Sequence, residues 1–583
     1  MNNGEISRIL DRIGILLEIK GENQFRVRAF QKAARAVGQF GGSIEEEARG
    51  GRLLSIDGVG KGISAEIEAL LSTGESPSLL ELFREIPPSI LEIVEIPGIG
   101  PKRAAQLWRE KGISSLEDLE RAARGGVIER MKFFGGKSQV NILEGIAIKR
   151  QAMEQKSIGA ALPLARDLTG FLASVPGVEG VSEAGELRRR AETVRSVPIL
   201  VSSRAPGRVM EAVAGLGGLK SVEVSGGAAW LETAEGIRVL VEVAGPEAFG
   251  AGLLCRTGSA DHVNGVMALL KEKGYLLGEE GLFAGDGSMI AAPGEEMIYE
   301  MAGLPFIPPE MRETGEELGP GVLEYLGELI DQGDIRGDLQ MHSTYSDGAG
   351  SVGDMAEKAM ELGYSYIALT DHSRSLAIAN GMPPERLREQ GKEIEALNGE
   401  LAGRFRILRG AEVDILSDGG LDYPEELLRE LDFVLVSVHQ GMKMARDKMT
   451  KRIIRAIRHP MVHCLAHPSG RLIGRRPEME MDWEEILPAA RDAGIALEIN
   501  AHPSRLDLDW HRCRAARDMG IPILINTDAH APVQMELMEY GVFTARRGWL
   551  RKDDVLNTLP ADRMEEWLRK VRNKKSGGEN GDN

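Results

Sequence analysis

Six stretches after residue 337 place imidazoles and carboxylates at the ends of apolar runs. His342 and Asp347 lie in DLQMHSTYSDG, Asp371 and His372 in LTDHS, and Glu412 and Asp414 in GAEVD. His439 ends SVH, His467 lies in AHPSGRL, and Asp528 and His530 lie in NTDAH. Of ten histidines, only His262 precedes this region. Mixed imidazole and carboxylate donors suit Zn, Mn or Fe. His342, Asp347, His372, Glu412, His439, His467, Asp528 and His530 are enough to hold two or three ions. Such ions activate a water for in-line attack on phosphorus. One such histidine would read as an ordinary core residue; five at strand ends, with acidic partners, do not. His459, His463, His502 and His511 fall outside the pattern and read as surface or supporting residues.

A second chemistry lies near the N-terminus. IDGVGKGISAEI (56–67) and IPGIGPKRAAQLW (96–108) each run from an apolar residue through a Gly-x-Gly turn and a Lys into an amphipathic helix. Such a turn lets backbone N–H groups at a helix start approach a phosphate closely. Gly58, Gly60 and Lys61, and Gly98, Gly100 and Lys102, are the candidate DNA contacts. Contacts of this kind do not read base sequence. FFGGKSQVNIL (133–143) looks like a decayed third copy, and VPGVEGV (175–181) is a fourth glycine-containing turn.

These residues need elements to hold them. Residues 1–80 have helical apolar spacing, and 160–318 mix short β-rich runs (VPILVSS, IRVLVEV) with helices. GLPFIPPEMRE (303–313) reads as a Pro-rich linker. From 334 strands and helices alternate, with polar residues at strand C-termini, which predicts an α/β barrel with its site at that end. The tail 573–583 reads as disordered. The 583 residues carry 89 acidic and 71 basic side chains, a net charge of −18. That excludes a globally basic nucleic-acid coat protein, yet not local phosphate binding. Three cysteines without paired spacing predict a reduced, cytoplasmic protein. No apolar run is long enough to predict a membrane span.

In order along the chain, NQFRVRAF, both hairpin turns, GELRRRAETV, TGSADH, GLPFIPPEMRE, the metal-ligand stretches, LEINAHPSRLDL, ARRGWL and NTLP resemble bacterial and archaeal family X DNA polymerases with a C-terminal PHP (polymerase and histidinol phosphatase) domain. The resemblance covers nearly the whole chain. It implies a helical helix-hairpin-helix N-terminal half, a nucleotidyltransferase-like palm and a PHP barrel. It implies a first metal site at position 340, His342, Glu412 and Asp528, and a second at Glu412, His439 and His467. Asp347, His372 and His530 would form the third, with Asp371 orienting a neighbour. Glu412, Asp528 and His439 would carry catalysis. Arg471 and Arg505 would either bind flanking phosphates or form structural salt bridges.

The sequence departs from that family in two places. The palm's three metal-holding Asp positions fall on Ser196, Pro198 and Leu240, which cannot hold two Mg²⁺ ions. Gly185, Arg188 and Arg189 match, but Glu186 replaces the triphosphate-contacting Ser, and Cys255 and Arg256 replace two aromatics. In the barrel, Gln340 replaces the first His of a His-x-His motif, offering only a carbonyl oxygen. The expected organisation is 1–82 and 83–156 (two hairpin-bearing helical units, the second fingers-like), 157–245 (degenerate palm), 246–318 (thumb-like) and 334–572 (PHP barrel). The expected function is DNA-binding phosphodiester hydrolysis: 3′→5′ exonuclease, 3′-end or abasic-site processing in DNA repair, with polymerase activity lost. The expected partner is gapped, nicked or 3′-ended DNA, bound by a monomer away from membranes. The alternatives are an active gap-filling polymerase, a non-catalytic DNA-binding scaffold and a small-molecule phosphatase.

Overall fold

The computed structural model describes residues 1, 3–40 and 42–576. The first 154 residues are helical, and one apolar core runs through them from Ile6 to Ile146. Caps set the helix starts. Ser43, Ser76 and Ser115 each accept a backbone N–H three residues on, satisfying a donor that the helix leaves free.

At both hairpins the first glycine adopts a left-handed φ, +86° at Gly58 and +89° at Gly98. The second, Gly60 or Gly100, is the extended N-cap of helix Lys61–Thr73 or Pro101–Lys111. Val59 and Ile99, between the glycines, point into the core. The third turn has the same form: Phe134 is buried, helix Gly136–Glu154 follows, and Phe133 takes the left-handed position at φ +70°.

The middle of the chain holds a five-stranded sheet. Its order is Val178–Glu183, Val197–Ser203, Arg238–Ala244, Ala228–Thr233 and Leu219–Ser225, with only the second and third strands parallel. Helices Phe249–Thr257, Ala260–Glu272 and Glu295–Ala302 and a small antiparallel sheet follow. Residues 303–313 are not a linker. Ile307, Met311 and Arg312 are fully buried, and Arg312 donates to Glu295 at 2.6 and 3.1 Å. The prolines there shape a packed turn rather than a spacer.

The C-terminal region is a parallel seven-stranded barrel in sequential order: Gly337–Asp338, Tyr366–Leu369, Arg406–Asp414, Phe433–Ser437, Cys464–Leu465, Ala496–Asn500 and Ile523–Asn526. Met341 bridges Ala529, and His342 N–H donates to the Ala529 carbonyl at 2.8 Å, so the last strand's end meets the first's. Side chains alternate along each strand. Leu408, Leu435 and Leu524 share the inner apolar cluster, and the two-residue step carries that face on to Glu412, His439 and Asp528. The expected disordered tail is corrected in part. Helix Ala561–Ser576 takes in its first four residues, and 577–583 lie outside the described residues.

Among the described residues no helix is long and apolar enough to cross a membrane. Cys255, Cys464 and Cys513 are free thiols.

Candidate metal centre

The barrel brings all eight predicted donors to one mouth. His342 Nε2 lies 3.0 Å from Asp528 Oδ1 and 3.5 Å from Glu412 Oε2. His467 Nε2 lies 2.9 Å and His439 Nε2 3.4 Å from Glu412 Oε1. Asp347 Oδ1 lies 3.5 Å from His530 Nε2 and 3.7 Å from His372 Nε2. Donor atoms fall within 4.8 Å of one another in three sets: His342–Asp347–His372–His530, His372–Glu412–His439 and His342–Glu412–Asp528. The expected set of Glu412, His439 and His467 is not among them: His372 joins Glu412 and His439 instead, and His467 approaches Glu412 alone. His342 stacks on both His372 and His530, with ring centroids 4.3 and 4.2 Å apart, and Glu412 lies between two sets.

The chemistry of these donors fits divalent cations. His342 Nδ1, His372 Nδ1 and Glu412 Oε2 are buried without a hydrogen-bond partner, a costly state unless a cation is shared. His372 Nδ1 and Glu412 Oε2 even face each other at 3.2 Å. Burial alone would push the His342 imidazole down, but the Asp528 hydrogen bond and the Asp528, Glu412 and Asp347 charges push it up to about 9. Burial and the His342 charge push His372 down to about 3. Burial raises the Glu412 carboxyl, yet His372, His439 and His467 hold it well below the usual carboxylate range. The carboxylates thus draw positive charge onto His342, while burial and that charge keep the stacked His372 neutral. Asp528 (φ +55°) and His467 (φ +26°) also sit in left-handed backbone, the kind of outlier that clusters at functional sites.

Several orienting groups surround the donors. Asp414 Oδ1 lies 2.6 Å from His439 Nδ1, which turns Nε2 toward Glu412. Asp371 faces away from the donors. It accepts from the N–H and hydroxyl of Ser343 (2.8 and 2.7 Å), from those of Ser346 (3.0 and 2.5 Å) and from Gln390, and so shapes the turn before Asp347.

Gln340 is fully buried. Its amide nitrogen donates to Glu498 Oε2 at 2.8 Å. The other end of the amide, its carbonyl oxygen, lies 3.5 Å from Asp528 Oδ1. Glu498 also accepts from His467 N–H and from Asn526, both at 2.7 Å, and burial pushes its carboxyl well up. Asp338, beneath Gln340, is pushed up by burial to about 7. Sequence reasoning missed Glu498 and Asp338. For Glu498 the signal was present: a carboxylate on the inner face of an apolar strand.

Two sequence readings are corrected here. Arg471 is not free for phosphate. Its guanidinium donates to Glu192 at 2.6 Å and to the carbonyls of Arg505 (2.9 Å) and Leu506, tying palm to barrel. Arg505 does stand at the centre, with Nε 3.5 Å from Asp528 Oδ2. His463 is neither a surface nor a supporting residue of the site. It is a fully buried core histidine that accepts Val434 N–H at 3.0 Å. His459 and His502 are half-buried and His511 is exposed.

The palm positions also converge, without carboxylates. Pro198 and Leu240 stand opposite each other in the parallel register, and Ser196 precedes the strand. Gly185 packs on the proline so closely that a Cβ there would meet Pro198 Cγ at 2.9 Å. Glu242, the nearby carboxylate, is held by Arg256 through two bonds of 2.8 and 3.1 Å. Arg188 pairs with Glu295 at 2.7 Å, Arg189 with Glu313 at 3.3 Å and Arg190 with Glu183 at 2.8 Å. Glu186 accepts Arg195 N–H at 2.9 Å. At the hairpins, Lys61 and Lys102 are exposed beside their N-cap glycines.

A Helix-hairpin-helix domain matches residues 1–76, and a SAM-like Helix-hairpin-helix tandem matches 51–107 and 90–147. A DNA polymerase beta thumb matches 252–313 and a PHP domain 338–502. The chain is 38% identical over 580 residues to the DNA polymerase/3′-5′ exonuclease PolX of Bacillus subtilis (strain 168), covering 98% of this chain and 100% of that protein. The barrel region is 30% identical over 253 residues to a probable phosphatase of Thermoanaerobacter sp. (strain X514), 42% of this chain and 97% of that one. A probable phosphatase of Acetivibrio thermocellus is 32% identical over 202 residues, 33% of this chain and 78% of that protein.

Proposed function

The chain belongs to the family X DNA polymerases that carry a C-terminal PHP domain, and from that membership we propose that it is a DNA-binding phosphodiesterase acting at 3′ ends, with polymerase chemistry lost. The observation that carries the reading is the contrast between its two centres. The barrel gathers seven residues into sets that could hold cations, with three donor atoms among them left without a partner, whereas the palm holds Ser196, Pro198 and Leu240 where carboxylates are needed.

Divalent cations bound among His342, Asp347, His372, Glu412, His439, His467, Asp528 and His530 would supply Lewis acidity toward phosphoryl oxygen and a nucleophilic water at neutral pH. The chain's own residues do the rest. Asp414 keeps the His439 Nδ1 proton on its own side, leaving Nε2 as a donor atom. Glu412 offers its two oxygens to two neighbouring sets of ligands. Arg505, beside Asp528, adds a fixed positive charge at the mouth, where a phosphate's oxygens would approach. In the palm every arginine of the 188–190 run has a carboxylate partner, so none is left to bind a triphosphate. The hairpin turns support sequence-independent DNA binding through backbone N–H groups and lysines.

The test is purified protein with Mn²⁺ and a labelled primer annealed to a template with a gap, with and without deoxynucleotides. The primer should shorten from its 3′ end and never lengthen. Glu412→Gln should reduce shortening by at least about 100-fold, since even residues that merely orient ligands are worth about 10–100-fold. Lengthening with deoxynucleotides, or shortening that survives Glu412→Gln, would overturn the reading.

A further inference from the structure

A cleft of about 810 Å³ opens between helix Asn3–Lys20, the residues around Lys156 and the barrel loop 471–478. Its lining carries seven cationic and four acidic side chains, a net +3 in a chain of net −18. Three of the acids are already paired: Glu95 with Lys149, Glu192 with Arg471 and Glu478 with Arg512. Arg8, Arg12, Lys156, Arg475 and Arg476 have no carboxylate partner among the described residues. Arg8 and Arg12 lie one turn apart on one wall, and Arg475 and Arg476 face them from the barrel. One acid of the lining, Asp11, is left beside these five cations; the cations repel one another, and an anionic ligand relieves that repulsion.

The barrel wall of the cleft is tied to the metal centre. Arg471, on its floor, donates to the Arg505 carbonyl at 2.9 Å, and Ile473 N–H donates to the Ser504 carbonyl at 2.7 Å. Arg505 in turn stands 3.5 Å from Asp528. The loop that forms one wall of the cleft also begins just after His467. We infer that this cleft takes the sugar-phosphate backbone of a single-stranded 3′ segment of DNA and delivers it to the barrel mouth. The inference rests on the proposed 3′-end hydrolysis.

A strand that reaches the proposed site of 3′-end hydrolysis must leave its partner, which favours a single strand over a duplex. Among the described residues no aromatic side chain lines the cleft, so it offers charge along a backbone rather than a platform for bases. Binding there is therefore indifferent to base identity and steeply dependent on salt.

The experiment compares two DNAs on the full chain with Mn²⁺: a duplex with a 3′ single-stranded overhang made of phosphorothioate linkages, and the same duplex with blunt ends. Affinity is read by fluorescence anisotropy across a KCl series. Arg8→Gln with Arg12→Gln should weaken overhang binding about 10-fold and make the salt slope shallower by about 1.4, at about 0.7 per single-strand phosphate contact. Blunt-duplex affinity should not change. Arg475→Gln, on the facing wall, should reproduce half the slope change, which guards against a folding defect in the helical wall. Equal losses on both DNAs, or no loss on either, would overturn the cleft assignment. Hydrolysis of bis(p-nitrophenyl) phosphate, which needs only the metal centre, should persist in all variants while overhang degradation slows. If the wild-type chain fails to hydrolyse that small diester, the phosphodiesterase reading falls and delivery falls with it. If it hydrolyses the diester but the variants bind overhangs normally, only the cleft falls.

Discussion

Gln340 occupies the one donor position where the chain lacks an imidazole, and its surroundings fit the missing ring. Glu498 already points at it with a carboxylate that also holds His467 N–H and Asn526. A histidine at 340 would give Glu498 one ring N–H and present the other nitrogen to the metal side, as Asp414 makes His439 do. Gln340→His should therefore tighten Mn²⁺ binding by about 10–100-fold and raise turnover with it, the range that orienting partners commonly command. Metal content after dialysis, read by elemental analysis, should rise toward one further ion per chain. Unchanged metal content and unchanged turnover would mean that the glutamine carbonyl already serves, or that the first site is not used. Every donor in this cluster was legible in the sequence, because each ends an apolar run. The groups that orient them were less so. Glu498 lies inside an apolar run and Asp338 on a short strand of mixed residues, and only the barrel's closure shows what they hold.

The hairpins show what an element preserves when its residues change. Three turns share one backbone form: a left-handed residue, a buried apolar residue, and then a helix start. The first two use glycine at the left-handed position and were legible from spacing alone. The third places Phe133 there, a residue that leaves no turn signature, so its likeness was visible only as a decayed motif. A different lesson comes from residues 303–313. Prolines there mimic a linker, but the Arg312–Glu295 pair is buried and binds the stretch to the thumb. Helix starts at Lys61 and Pro101 carry exposed lysines beside free backbone N–H groups, so these elements should contribute DNA affinity of a purely electrostatic kind. Lys61→Gln with Lys102→Gln should weaken every duplex sequence alike. The dependence of log K on log[salt] should become shallower by about 0.9 per lost phosphate contact. Titrations at several KCl concentrations on unrelated sequences check this. A loss confined to one sequence, or no loss at any salt, would return both turns to ordinary structure.

At the scale of the whole molecule, the palm packs firmly although Ser196, Pro198 and Leu240 stand at its carboxylate positions. Leu506 and Tyr540 of the barrel lie in the same apolar core as the palm sheet, with Ile473, Leu537 and Phe543 packed against it. Trp549 of the barrel lies in the thumb's core. Arg166 holds Glu539 through two bonds, and Arg547 reaches Glu313 and the Arg190 carbonyl. The palm thus covers apolar surface on the barrel and fixes the loops beside the metal centre, a structural task independent of nucleotide transfer. The helical region differs: among the described residues its core, Ile6 to Ile146, has no member from the rest of the chain. Apolar burial is the main cohesive term in folding, so shared cores should melt together and separate cores apart. Calorimetry of the full chain should give two transitions, one for residues 1–154 and one for palm, thumb and barrel as a unit. Leu506→Ala removes a barrel side chain from the palm core and should destabilise the second unit by about 2–5 kcal/mol. The first transition should stay in place. Three transitions, with a barrel that remains folded after the palm has melted, would show that the shared core is contact without cooperativity. In that case the degenerate palm could be deleted without harm to the metal centre.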